Sequence, residues 1–145
     1  GYLVSEQGFH EAFAPYDREP NLHASVVRHN GTAQNITVKL DALFKTKRAP
    51  TAILVAKPQH VFVVLIYLLR RGYAVPDDVS LVARDSDYLF GVVSPAIAHY
   101  LIPDDAFAQR LSRMMMHLVA DGHLPPEPNF IIPKFVPGET IKALA

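Results

Sequence analysis

The chain has 145 residues, half of them hydrophobic and 19% charged, which suits one globular domain with a real core. Its 14 basic residues match its 14 acidic ones, so the formal net charge is zero. A neutral domain is a poor stand-alone binder of nucleic acid, because that affinity rests mainly on neutralising phosphates. The absence of cysteine excludes a disulfide framework and a thiolate metal site, and it fits a reducing compartment.

In chain order, Ser5 to Ala14 reads as a short helix stopped by Pro15. Leu22 to His29 reads as a strand. Asn30-Gly31 is a turn, and Thr32 is placed to cap a helix over Ala33 to Lys47. That helix repeats apolar residues at Ile36, Leu40, Leu43 and Phe44. Thr51 to Ala56 is an apolar strand, and a second helix covers His60 to Arg71. Pro58 suits a first helical turn, where its missing N–H costs nothing. Gly72 stands where a left-handed cap belongs, behind two cations that suit the helix dipole. Val79 to Ala83 and Ile97 to Ile102 are further strands. Asp104 to Asp121 is a helix closed by Gly122, with an apolar stripe of Phe107, Leu111, Met114, Met115 and Leu118. The proline-rich loop Leu124 to Pro128 leads to a last strand, Phe130 to Val136.

Strands that are apolar throughout and separated by helices indicate a parallel sheet covered on both faces. The nine apolar residues Val61 to Leu69 are too few for a bilayer, which needs about 20. They predict a helix buried on more than one side: one side faces the sheet, and the other faces a second body. No signal peptide is visible. The chain starts at Gly1-Tyr2 without methionine and reads as a piece of something longer.

Open parallel sheets bind ligands beyond the carboxyl ends of their strands. Two such ends are identifiable, Ala56-Lys57-Pro58 and Arg84-Asp85-Ser86. Lys57 and Asp85 either line a pocket there, with Lys57 suited to an acidic ligand group, or neutralise each other at the sheet edge. His23 and His29 are six residues apart, too far for a chelating pair, and His117 and His123 flank a helix end. No metal site is predicted. Asp77-Asp78 and Asp104-Asp105 stand where carboxylates cap and solvate. Met114-Met115-Met116 reads as packing. Without a phosphate loop or a Gly-x-Ser-x-Gly motif, the chain reads as neither an enzyme nor a cofactor protein.

The ordered series "QGFHEAF", "RAPTAILVA", "LLRRGYAVPDDVSLVARD", "SPAIAHYLIP", "AFAQRLSRMMMHLVADG" and "IIPKFVPGETI" resembles the lactose-repressor family of bacterial transcription regulators. The resemblance runs through nearly the whole chain and is strongest from Ala49 to Asp121. It implies the C-terminal lobe of a periplasmic-binding-protein-like core: a three-layer α/β lobe with a mainly parallel sheet, spanning residues 1–145. Within it, the helix at 104–121 packs in the family on an N-terminal lobe that is missing here.

The implied function is effector sensing and dimerisation in a cytoplasmic regulator. A helix-turn-helix headpiece outside this chain would supply all contact with DNA, and no membrane would be involved. The effector would be a sugar or a related metabolite. Asp85 falls on the family's effector-contacting aspartate. Lys57 replaces a position that is usually asparagine. The family's arginine before Gly-Phe has no counterpart; Ser5, Glu6 and Gln7 stand there, and Ser5 is the candidate contact. The family's homodimer would use Phe62, Ile66, Leu69, Phe90 and Val93. The bare stripe at 104–121 would fold back on its own sheet, dock on a neighbouring chain, or become mobile. A fragment of a periplasmic solute-binding protein is the alternative, and a small flavodoxin-like enzyme a weaker third.

Overall fold

The computed structural model describes residues 2–16, 26–124 and 131–143. Helix α1 (Tyr2–Phe13) leads, and α2 (Ala33–Phe44) follows. Strand β1 (Ala52–Val55), helix α3 (Pro58–Arg70) and strand β2 (Ser80–Ala83) form a unit of strand, helix and parallel strand. A 3-10 turn at Tyr88–Gly91 precedes β3 (Ala98–Leu101), α4 (Asp104–Asp121) and β4 (Lys134–Val136). The sheet order is β1-β2-β3-β4. The first two pairings are parallel and the last is antiparallel, so the mainly parallel α/β lobe expected from the sequence is the one observed.

Local chemistry sets the helix ends. Thr32 Oγ1 accepts from Asn35 N at 3.2 Å, which starts α2. The helix stops at Phe44, short of Lys47. Thr46 donates from both N and Oγ1 to the Leu43 carbonyl, which a further helical turn would leave for Lys47 N. Pro58 is the first residue of α3. At its other end Tyr73 N reaches Leu68 O and Gly72 N reaches Leu69 O, with Gly72 at φ +80°. This is a full Schellman ending, and it needs glycine for the left-handed turn.

Leu22 to His29 does not form the expected strand where it can be followed. Residues 26–29 have no regular structure, and 22–25 lie outside the described residues. The segment spends its polar groups locally. Gly31 N donates to His29 Nδ1, Thr32 N donates to Asn30 Oδ1, and Asn30 N donates to Asn35 Oδ1. Such side chain–backbone bonds compete with a sheet ladder.

The apolar run Val61 to Leu69 lies in α3, which packs on β1 and β2 and is flanked by α2. Val61, Val64, Leu65, Tyr67 and Leu68 are buried with Ile36 and Leu40 of α2 and with Val55, Leu81 and Ala83 of the sheet. Phe90, carried in by the 3-10 turn, is 0% exposed and touches the rings of Phe62 and His99. The other sheet face is more open, with Leu54, Tyr100 and Phe135 exposed.

The segment after β4 locks the sheet. Buried Thr140 accepts from Ala98 N at 3.0 Å and donates to Leu81 O at 2.6 Å, joining β2 to β3. A side chain on Gly138 would come within 2.4 Å of Ala98 N, so only glycine lets the segment lie this close.

Helix α4 has Asp104 and Asp105 in its first turn and Gly122 left-handed at its end, as the sequence suggested. None of its residues is buried. Phe107, Leu111, Met115 and Leu118 are exposed, so the stripe does not fold back on its own sheet. Among the described residues no helix is long and apolar enough to cross a membrane.

Candidate functional site

The register of β1 with β2 builds the site. Val55 pairs with Ala83, and Arg84 N donates to Val55 O at 2.9 Å, one step beyond the strands. Positions 57 and 85 therefore leave two neighbouring strands side by side, at the carboxyl edge where parallel sheets bind ligands. Neighbouring strands are about 4.8 Å apart.

Asp85 and Ser5 meet there through a residue that the sequence reading passed over. Arg84 donates from Nε to Asp85 Oδ1 at 3.0 Å and from Nη2 to Oδ2 at 2.8 Å. Its Nη1 donates to Ser5 Oγ at 3.1 Å. The guanidinium thus fixes the carboxylate with a two-pronged grip and ties α1 to the sheet edge. The available signal was a cation directly before the expected site acid, at a strand end. Next to Ser5, Glu6 accepts from Arg28 Nη2 at 2.7 Å, an ion pair between α1 and the loop before α2.

Lys57 is the residue just before α3 and makes no side-chain cap, and the first turn of α3 has no acidic residue. One turn on, His60 is only 7% exposed, and its ring meets His29 edge-on at 4.8 Å. Burial holds the His60 imidazole below its ordinary value of 6.5, and the charges of His29 and Lys57 push the same way, against a hydrogen bond that the ring donates to the Gly31 backbone. Among the described residues no group of three histidines and carboxylates could hold a metal ion.

This has a consequence for stability. The folded state keeps His60 neutral, so it loses nothing above the unfolded pKa. As pH falls through about 6.5, the unfolded chain takes up the proton first, and stability drops until the folded pKa is reached. Thermal unfolding followed from about pH 7.5 to 5.5 should show a steeper loss for the wild type than for His60→Gln. Equal slopes would remove His60 as the cause.

Four of the five interface candidates reach the surface, and Phe90, expected at the interface, does not, because the core encloses it. Phe62, Ile66 and Leu69 share a helical stripe of α3, with Ile66 55% and Leu69 54% exposed. Phe62 and Val93 are half-buried. Phe90 is wholly inside the chain and supports Phe62 from beneath, with ring centroids 5.7 Å apart. Beside this stripe a groove of about 260 Å³ is lined by Thr37, Ile66, Tyr67, Arg70 and Arg71. Asp41 takes hydrogen bonds from Tyr67 Oη and Arg71 Nη2 at its margin.

The model of the periplasmic binding protein-like domain matches residues 4–141, nearly the whole chain. The chain belongs to the periplasmic binding protein-like family. Solved structures agree in fold with this periplasmic binding protein-like chain. The Escherichia coli transcriptional repressor ascG superposes with a TM-score of 0.73 at 19% identity, over 94% of this chain and 49% of that one. The complex of the transcriptional regulator CelR with cellobiose gives 0.73 at 18% identity, over 92% and 41%. A LacI family transcriptional regulator from Arthrobacter sp. FB24, in complex with lactose, gives 0.66 at 17% identity, over 79% and 43%. The chain thus spans less than half of each of these proteins. No curated protein matches it.

Proposed function

We propose that the chain is the effector-sensing and dimerisation part of a bacterial transcription regulator. The observation that carries this is the Ser5–Arg84–Asp85 cluster at the carboxyl end of β2, in a fold shared with regulators that hold lactose and cellobiose. A carboxylate fixed there can accept hydrogen bonds from ligand hydroxyls. The effector is a sugar or a related metabolite. Lys57 stands at the end of the neighbouring strand, and Ser5 reaches the edge from α1 through Arg84. Ligand binding is read out as a change in DNA binding by a headpiece outside these residues, in a cytoplasmic homodimer. No catalytic step is involved.

The fold also serves solute-binding proteins, and the test separates the two. Calorimetry on the complete protein with sugar effectors should show Asp85→Ala weakening binding by about 10-fold or more, the worth of a charge-assisted hydrogen bond. Operator binding, measured by gel shift, should change when the same effector is added. Unchanged affinity in the variant would remove Asp85 from the site. A complete protein that binds sugar and never binds DNA would sink the regulator.

A further inference from the structure

The turn before α2 gathers a base and two donors around one asparagine. Asn30 Oδ1 accepts from Thr32 N at 3.0 Å and from Thr32 Oγ1 at 2.8 Å. Two donors on that atom fix which end of the amide is the carbonyl. Gly31 N donates to His29 Nδ1 at 3.0 Å, so the neutral imidazole carries its proton on Nε2 and keeps Nδ1 as a base. The His29 ring is held edge-on against His60 of α3, with centroids 4.8 Å apart. Lys57 at the start of α3 also acts on His60, and Arg28, next to His29 in the chain, is paired with Glu6 of α1. Gly31 is left-handed at φ +92°, and a Cβ there would meet nothing within 4 Å, so no neighbour shields its nitrogen.

An asparagine followed by glycine can close on the next backbone nitrogen, because no side chain stands in the way. Here that nitrogen already faces a base, and the amide carbonyl already has two donors, the arrangement of general-base catalysis with oxyanion stabilisation. We propose that His29-Asn30-Gly31-Thr32 is a self-modifying turn, in which Asn30 deamidates by attack of Gly31 N on Asn30 Cγ. His29 Nδ1 takes the Gly31 proton as the N–Cγ bond forms, and the Thr32 N–H and Oγ1–H hold the negative charge on Oδ1. The Cγ–Nδ2 bond then breaks, and the proton on His29 passes to the leaving nitrogen, which departs as ammonia. Water opens the cyclic imide at either carbonyl and gives aspartate or isoaspartate, with no change in oxidation state. Either product puts a carboxylate beside His29 and just before α2, whose first turn has no acidic residue. Isoaspartate also lengthens the backbone by a methylene, which upsets the turn that the bond from Asn30 N to Asn35 Oδ1 closes.

The experiment ages the complete protein at neutral pH and follows Asn30 by peptide mass mapping, with isoaspartate read by enzymatic carboxyl methylation. A peptide of residues 26–36 is the unfolded reference. Asn21, Asn35 and Asn129, each followed by a larger residue, are internal controls. Asn30 should deamidate about 10-fold or more faster in the protein than in the peptide, and ahead of the other three. His29→Gln keeps an acceptor for Gly31 N but no base, and should slow the reaction by about 10-fold or more. Thr32→Val removes the hydroxyl donor and should also slow it by about 10-fold, whereas Thr32→Ser should stay near the wild-type rate. Melting temperatures control for folding, and His29→Gln, which leaves the Thr32 cap intact, decides the case if Thr32→Val melts early. An Asn30 that reacts no faster in the folded protein than in the peptide overturns the proposal. So does a rate untouched by His29→Gln.

Discussion

Phe90→Ala should destabilise the lobe by about 3–5 kcal/mol, as full-size aromatic truncations in a closed core do. Phe90 is 0% exposed, and it fills the space between Phe62 on α3 and His99 on β3. Its backbone is pinned as well, because Ile97 N donates to Phe90 O at 2.9 Å. The surroundings therefore cannot collapse into the space left behind. Domains are stable by roughly 5–15 kcal/mol, so this single change removes a large part of the total. At about 2–4 °C per kcal/mol for a chain of this size, the midpoint should fall by roughly 10 °C. Phe90→Leu keeps most of the volume and should cost distinctly less. Urea unfolding of the two variants gives the comparison. A loss below about 1 kcal/mol for the alanine would mean that the pocket around Phe90 is not closed as described.

The second large effect concerns assembly. Ile66 and Leu69 lie more than half exposed on α3, with Phe62 beside them on the same stripe. A self-complementary apolar stripe of this kind suits a two-fold interface, where each residue is used twice. Ile66→Glu puts a carboxylate into both halves of such an interface and should raise the dimer dissociation constant at least about 100-fold. Because Ile66 is outside the core, the fold should be unaffected, whereas Phe62 also packs on Phe90. Light scattering at micromolar concentration should therefore show a dimer for the wild type and a folded monomer for the variant. A wild-type monomer, or a variant that still dimerises, would dismiss the interface.

The two variants bear on one structural unit from opposite sides. Phe90 is the buried support, and Ile66 belongs to the surface above it. Losing the support should loosen Phe62 and weaken dimerisation as well as folding. Losing surface complementarity should weaken dimerisation alone. That difference separates an assembly defect from a folding defect in any further substitution along residues 62–69.

Much of this fold can be read from short stretches of the chain. Thr32 with Asn35, Pro58 before its apolar run, and Gly72 and Gly122 at helix ends all act within a few residues of themselves. Their partners are fixed by local backbone geometry, so the sequence alone specifies them. The same holds for the short apolar strands and for the helical spacing of α2, α3 and α4. Residues 26–29 were misread because their apolar content suggested a strand, while the deciding polar bonds run from Asn30 and His29 to their own neighbours. The positions of Lys57 and Asp85 followed from the rule that parallel strands end at the ligand edge.

What only the tertiary structure decided involves partners far apart in sequence. Arg84 meets Ser5 across 79 positions, and Thr140 meets Leu81 across 59. Nothing in the stretch "LVARDSD" says that the arginine will bridge an acid and a distant helix. Nothing near "LFGVV" says that Phe90 goes fully inside while Val92 stays exposed. The physical reason is one of range. Caps and turns are stabilised by bonds that close within one turn of backbone, so the residue types at fixed offsets determine them. Burial and long-range ion pairs depend on which surfaces the packed sheet and helices bring together, and no offset along the chain encodes that.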